Sequence, residues 1–248
     1  MAHDDDGQVT IRALQSAEEM RAVVALEWEV WGPEDSTPGN QLVISAKTGG
    51  HVLGAFAGGR LIAFAYAFPA VLPGRPPWLA SHMLATRPGY DGRGVGRMLK
   101  WRQREWALAH GFERVTWTFD PLEARNCHLN LNVLGAVAPE YLIDCYGTME
   151  DKLNRGLPSD RLMAQWELRS ARVEAAAQGQ APAPPPPGSA RVGIPRDFQA
   201  LKAKSLEAAL AERLRVRDAI LPLLQGGGRV VAYDRQTSEL VVAARATA

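Results

Sequence analysis

The stretch Tyr90-Asp91-Gly92-Arg93-Gly94-Val95-Gly96-Arg97-Met98-Leu99 sets three glycines at alternate positions with two arginines among them. Glycine adopts positive φ at little cost and lets a ligand approach the main chain closely. A glycine-rich turn that opens a helix also presents N–H groups with no partner inside the helix, and these bind anions, phosphate above all. The spacing therefore predicts a phosphate cradle. A dinucleotide fingerprint G-x-G-x-x-G is excluded, since Arg97 and Leu99 stand where its third glycine would fall. A P-loop is excluded because no Gly-Lys-Ser/Thr follows. Between Arg87 and Arg104, six basic residues (Arg87, Arg93, Arg97, Lys100, Arg102 and Arg104) stand against one acid, Asp91.

Other residues have the chemistry of proton transfer or polar recognition. His82 lies in the run 78–86, and strand alternation puts Ala80, His82 and Leu84 on one face. An imidazole near pKa 6.5 suits proton abstraction at neutrality; a core histidine satisfied by backbone is the equal alternative. Glu27 falls on the apolar face of a helix, where an unpartnered carboxylate is costly and points to use on an amine. An edge position with its head in water is the plainer reading. Asn126 and Asn130, four apart, share a helix face, whereas Asn130 and Asn132 also suit local bonds to backbone. Tyr141 and Tyr146 are possible acids, each with a structural tyrosine as the default.

These residues need elements to hold them. Residues 8–14 alternate like a strand, and Ser16 with Glu19 forms a capping box for a helix. The helix's apolar face is Met20, Val23, Val24, Trp28 and Trp31. A short helix is expected over 39–48, then two strands joined by Gly58-Gly59. The strand 78–86 feeds the glycine loop. A helix from Gly94 to His110 follows, with Val95, Met98, Leu99, Trp106 and Ala109 as its apolar positions and Gly111 closing it. Residues 114–120 read as a strand, and Asp120 as N-cap of a fourth helix with Pro121 at N1 and Glu123 completing the box. Two more strands fall near 140–147 and 161–168. Trp28, Trp31, Trp101, Trp106 and Trp117 read mostly as core.

Residues 171–193 become Ala- and Pro-rich and read as a linker or mobile loop. A long helical pattern over 197–225, disturbed by Pro222, and a terminal hairpin complete the chain, which has no internal repeat. The predicted division is 1–170, 171–193 and 194–248, the last an appendage packed on the first.

The 248 residues are ample for a core, and 46% hydrophobic with 22% charged residues describes an ordinary globular protein. A net charge of +1 gives no reason to expect nucleic acid or an acidic membrane surface as partner. Two cysteines, Cys127 and Cys145, make neither a disulfide framework nor a four-thiolate metal site, so no metal is expected, and reduced thiols suit the cytoplasm. The acidic start resembles no signal peptide, and the longest apolar run, 61–72, is too short for a bilayer.

The buried strand, the pattern Asp91-Gly92-Arg93-Gly94-Val95-Gly96 and the helix after it resemble the GNAT superfamily of acyl-CoA-dependent N-acyltransferases. Its signature, [QR]-x-x-G-x-[GA], holds the pyrophosphate of coenzyme A on backbone amides. The order of elements from Val9 to Gly147 is similar too. The segments Trp117–Asn130, Leu134–Ala136 and Asp160–Leu168 look like a branch of predicted acetyltransferases, some linked with N-acylamino-acid racemases. The resemblance implies a mixed α/β sheet flanked by helices and, as co-substrate, acetyl-CoA or another acyl-CoA. It also implies a small amine acceptor, in keeping with an amino acid, and leaves room for a homodimer. It assigns coenzyme A to Leu84, Ala85, Thr86, the loop residues Asp91, Gly92, Arg93, Gly94, Val95, Gly96 and Arg97, and Asn126. It points to His82, Glu27 and Tyr146 for the chemistry. Two departures stand out. Asp91 occupies the Gln/Arg position of the signature, and the fourth helix lacks the tyrosine that usually protonates the departing thiolate. The expected reaction is acetyl or succinyl transfer to an amine in a ternary complex, since neither cysteine has a recognisable histidine partner. A non-catalytic acyl-CoA-binding regulatory module on the same fold is the rival.

Overall fold

The computed structural model describes residues 9–33, 36–149 and 154–245; the acidic start falls outside them. Two compact units divide the chain, Met1–Val115 and Thr116–Ala248. Among the described residues no helix is long and apolar enough to cross a membrane.

The first unit holds β1 (Thr10–Ala13), α1 (Ala17–Val30), α2 (Gly39–Lys47), β2 (His51–Ala57), β3 (Arg60–Ala70), β4 (Trp78–Thr86) and α3 (Val95–Ala109). β1 to β4 pair antiparallel in that order. The predicted capping box is present at α1: Ser16 Oγ accepts from Glu19 N while the Glu19 carboxylate accepts from Ser16 N. Gly58 and Gly59 make the β2–β3 turn at φ 55° and 79°, a conformation that favours glycine there.

Alternation along these strands builds two cores. Val52, Phe64, Tyr66 and Ala85 meet Met20, Val23 and Leu26 of α1 and Leu42 of α2. Leu53, Ala55, Ile62, Ala63 and Ala65 meet Val95 and Leu99 of α3. Pairing slips once in β4: Tyr66 faces Met83 but Ala67 faces Ser81, so His82 is an extra, bulged residue. The expected alternation fails there. Leu84 packs on the α3 side, while His82 lies against Tyr66 and Phe68 on the opposite face.

β5 (Arg114–Phe119) leads into the second unit, which continues with α4 (Ala124–Cys127), β6 (Val137–Leu142), β7 (Arg161–Glu167), α5 (Ala171–Ala177), β8 (Ala190–Gly193), α6 (Phe198–Lys204), α7 (Leu206–Gln225), β9 (Arg229–Asp234) and β10 (Glu239–Ala243). The strand order in this unit is β5-β7-β6-β9-β10-β8. Ala138 of β6 pairs with Val230 of β9, so the terminal hairpin extends the sheet begun by β5 to β7. Within 171–193, expected as a linker, stand α5, capped by Ser170, and β8, paired with β10. The helical pattern over 197–225 is two helices, broken at Ser205, whose side chain caps the second.

Several sequence expectations are corrected here. Asp120 is not an N-cap, because α4 starts at Ala124. A long-range partner takes it instead: its two carboxylate oxygens accept from Arg213 Nη1 and Nη2, each at 2.7 Å, and Oδ1 also accepts from Leu122 N. The helix changes after one turn to π geometry over His128–Val133. That leaves Asn126 exposed and Asn130 buried, so the four-residue spacing does not give them one shared surface. Asn132 bonds both backbone groups of distant Tyr233 rather than its own neighbours. None of the five tryptophans read as core is fully buried, and Trp28 is 50% exposed; Trp166 fills that role, donating to Leu134 O.

Candidate active site

The glycine loop makes a tight turn, Tyr90 N donating to Arg87 O at 3.0 Å, before α3 begins. Gly92 and Gly94 have φ 75° and 80°, and Gly94 is the N-cap residue of α3, in left-handed conformation and without a side-chain cap. The amides of the first helical turn therefore lack the side-chain acceptor most helices supply. A Cβ on Gly92 or Gly94 would meet nothing within 4 Å. Open space lies against the backbone, as an anion needs. Gly96 differs: its φ is ordinary, and its Cβ would rest 3.6 Å from Leu84 Cδ2 and 4.0 Å from Thr86 Oγ1. Its small size serves the packing of α3 on β4. Leu84 and Thr86 thus adjoin the loop, whereas Ala85 belongs to the core on the other face.

The basic cluster is smaller than its count suggests. Arg87 pairs with Glu29 and donates to Leu61 O at 3.1 Å. Arg102 pairs with Glu105. Lys100 is buried at 2% exposure, away from any anion at the loop. Arg93 and Arg97 are exposed beside the cradle, the Arg93 guanidinium 5.1 Å from the Tyr90 ring centre. Asp91 and Val95 complete the loop, exposed and buried respectively.

On the α1/α2 face, His82 is exposed, its ring edge-on to Tyr66 and tilted against Phe68, each 5.9 Å away between centres. Partial desolvation by these neighbours holds its pKa below the ordinary value, so the imidazole is neutral at neutral pH. Glu27 is 1% exposed; its Oε2 accepts from Thr37 N at 2.8 Å, and its Oε1 is buried without a hydrogen-bond partner among the described residues. Thr37 Oγ1 in turn lies 3.6 Å from Met83 Sδ, next in sequence to His82. Burial pushes the Glu27 carboxyl up to about 7, against the weaker opposing bond from Thr37.

In the second unit Tyr146 is 47% exposed, its hydroxyl 2.6 Å from Thr118 Oγ1 and its N–H donating to Ser159 Oγ. Tyr141 is buried and donates to Asp160 Oδ2 at 2.7 Å; burial and that carboxylate raise its pKa, which removes it as an acid. Burial likewise raises both thiols, Cys127 strongly.

Residues 20–133 match the model of the acetyltransferase (GNAT) family. The chain carries a GNAT acetyltransferase domain. The match runs from within α1, across the cradle, to the end of the π turn. Among solved structures, the ribosomal-protein-S18-alanine N-acetyltransferase of Escherichia coli is 17% identical at TM-score 0.53, covering 66% of this chain and 96% of its own. YncA of Salmonella typhimurium, solved with its cofactor acetyl-CoA, is 16% identical at TM-score 0.53, with coverage of 66% and 96%. Naa50 of Arabidopsis thaliana, in complex with the bisubstrate analogue CoA-Ac-MVNAL, is 10% identical at TM-score 0.51, with coverage of 63% and 97%. At these identities the likeness establishes the fold. Comparison with curated proteins gives no match.

In this GNAT domain the sequence missed two features. Thr37, which caps the Glu27 carboxylate through its backbone, left no trace in residue type. Lys100 was counted with the loop's cations, although its spacing from Leu99 and Gln103 already placed it beside the apolar stripe of α3.

The buried Glu27 has a consequence for stability. Its folded carboxyl titrates at about 7 against an ordinary 4.5, so folding favours the protonated form. That contribution is fully present below 4.5 and lost as pH rises to about 7. Glu27→Gln removes the titration. Denaturant unfolding should therefore favour the Gln variant by roughly 3 kcal/mol more at pH 8 than at pH 4. An equal difference at both pH values would show that the carboxylate is hydrated in the folded state.

Proposed function

We propose that this chain transfers an acyl group from acyl-CoA to an amine acceptor in a ternary complex. The carrying observation is the cradle: an uncapped α3 N-terminus behind two positive-φ glycines, open to an anion, inside a GNAT domain. Backbone amides of Gly94 to Arg97 would hold the pyrophosphate, with Arg93 and Arg97 beside it and Leu84 and Thr86 adjoining. Asn126, exposed on α4, is assigned to the more distal part of the same molecule. Acyl-CoA supplies an activated thioester carbonyl. His82 takes the proton from the acceptor's ammonium, and its lowered pKa keeps it free to do so at neutrality. Glu27, buried with one unsatisfied oxygen, holds or orients the acceptor's positive charge. Tyr146 returns a proton to the departing sulfur, in place of the tyrosine missing from the fourth helix. The raised thiol pKa values of Cys127 and Cys145 speak against a covalent acyl-enzyme. Catalysis is assigned to residues 1–170 and the segment 194–248 to a supporting role.

An amino acid or peptide amine is the acceptor class to try first, with acetyl-CoA and succinyl-CoA as donors. Thiol release dependent on the amine is the expected result. The missing fourth-helix tyrosine favours one rival, a non-catalytic acyl-CoA-binding module. Tight coenzyme A binding without thiol release across the panel would establish that rival.

A further inference from the structure

The face of α3 turned to the sheet should be apolar, yet it carries Lys100 and Gln103 between Leu99 and Ala107, all buried. Lys100 Nζ donates to Gln103 Oε1 at 2.6 Å and to Ser81 Oγ of β4 at 3.2 Å. Gln103 Nε2 lies 3.2 Å from His51 Nε2. An amide nitrogen only donates, so His51 Nε2 accepts and its proton sits on Nδ1. Burying a lysine amine disfavours folding, and burial pushes its pKa well below the usual lysine value. A methionine would fill the same volume without that cost. The cluster therefore calls for a reason other than stability.

That reason lies at its far end. Ser81 is the residue immediately before the bulge, opposite Ala67, and its hydroxyl points to α3. Leu84 packs on that same side, three positions later rather than two or four. His82 and Met83 consequently both face the α1/α2 side. In a regular ladder continued back from Met83, His82 would turn toward α3 and Ser81 away from it. A bond that pins Ser81 to α3 excludes that slip.

We propose that Lys100 is a positioning residue, which locks β4 in its bulged register through Ser81 and so presents His82 on the α1/α2 face. The same side chain ties the helix that begins at the glycine loop to the strand bearing His82. The catalytic consequence rests on His82 being the base, whereas the positional consequence does not.

The test uses the full chain with Lys100→Met and, as a second variant that keeps the lysine, Ser81→Ala. Lys100→Met is expected to keep or raise the thermal midpoint, because an apolar chain replaces a buried amine. It should lower kcat/KM about tenfold or more, the scale of a misplaced proton acceptor, with the Kd for coenzyme A unchanged. The double variant should lose no more than the worse single one, since both act through one bond. The ring-proton NMR signals of His82, assigned with His82→Gln, should shift in both variants as the imidazole leaves Tyr66 and Phe68. An unmoved His82 signal would overturn the proposal, whatever the rate. A moved signal with wild-type kcat/KM would uphold the lock and count against His82 as the base.

Discussion

Gly94→Val is expected to weaken coenzyme A binding about a hundredfold or more, while the protein still unfolds cooperatively. Gly94 sits at φ 80° as the N-cap residue of α3, and nothing lies within 4 Å of the Cβ it lacks. A valine there would fill the space an anion needs and move the first-turn amides out of reach. Two lost charge-assisted hydrogen bonds at ~1.5–3 kcal/mol each amount to at least a hundredfold. A branched residue at positive φ is also strained, by roughly 1–3 kcal/mol. The control carries the same strain without the ligand: Gly58, in the β2–β3 turn, has φ 55° and equally open surroundings. Gly58→Val should lower the thermal midpoint and leave the Kd unchanged. Gly96→Ala makes a third arm. Its Cβ meets Leu84 at an ordinary distance, so it should bind nearly as well as the parent chain. Calorimetry on the three variants decides the matter. A Gly94→Val protein that binds coenzyme A normally would remove the cradle and the enzyme reading with it.

What the sequence made legible follows the range over which each signal acts. The capping box at Ser16 and Glu19, the Gly58-Gly59 turn and the glycine loop are set by residues within a few positions of one another, and each stands where expected. Asp120 was misread because its neighbours Pro121 and Glu123 satisfy the local rule for an N-cap. A guanidinium 93 residues away is the stronger partner. The π turn after Cys127 was likewise hidden, since no pattern of residue types marks a change of hydrogen-bond step within one helix.

The candidate site shows the same division. Glu27 could be singled out because a carboxylate on an apolar stripe is conspicuous, and its burial followed. The face of His82 could not be read, because alternation assumes an unbroken ladder and the bulge is a property of two paired strands. Lys100 illustrates a third case. Its charge drew it into the phosphate cluster, while its position one residue after Leu99 placed it under α3. Position decided over charge there, since a helix fixed by Val95 and Leu99 leaves residue 100 no route to solvent.

His82→Ala is expected to lower kcat/KM by roughly two to four orders of magnitude, the usual worth of general-base catalysis. The Kd for coenzyme A should barely change. His82 is exposed, so the variant should also lose little stability, on the order of 0.5 kcal/mol. That separates the base from a packing residue, whose loss would show in the thermal midpoint first. The pH profile separates it from Glu27. Desolvation lowers the His82 pKa beneath 6.5, so the acid limb of wild-type kcat/KM should fall below that value as the imidazole takes up a proton. A limb near 7 would instead mark the Glu27 carboxyl, raised there by burial. In His82→Ala the limb should vanish, and the rate should climb at high pH as the acceptor amine loses its proton unaided. Wild-type kcat/KM in folded His82→Ala, together with a limb near 7, would transfer the base's role to Glu27. The exposed imidazole between Tyr66 and Phe68 would then be left to bind the acceptor without moving its proton.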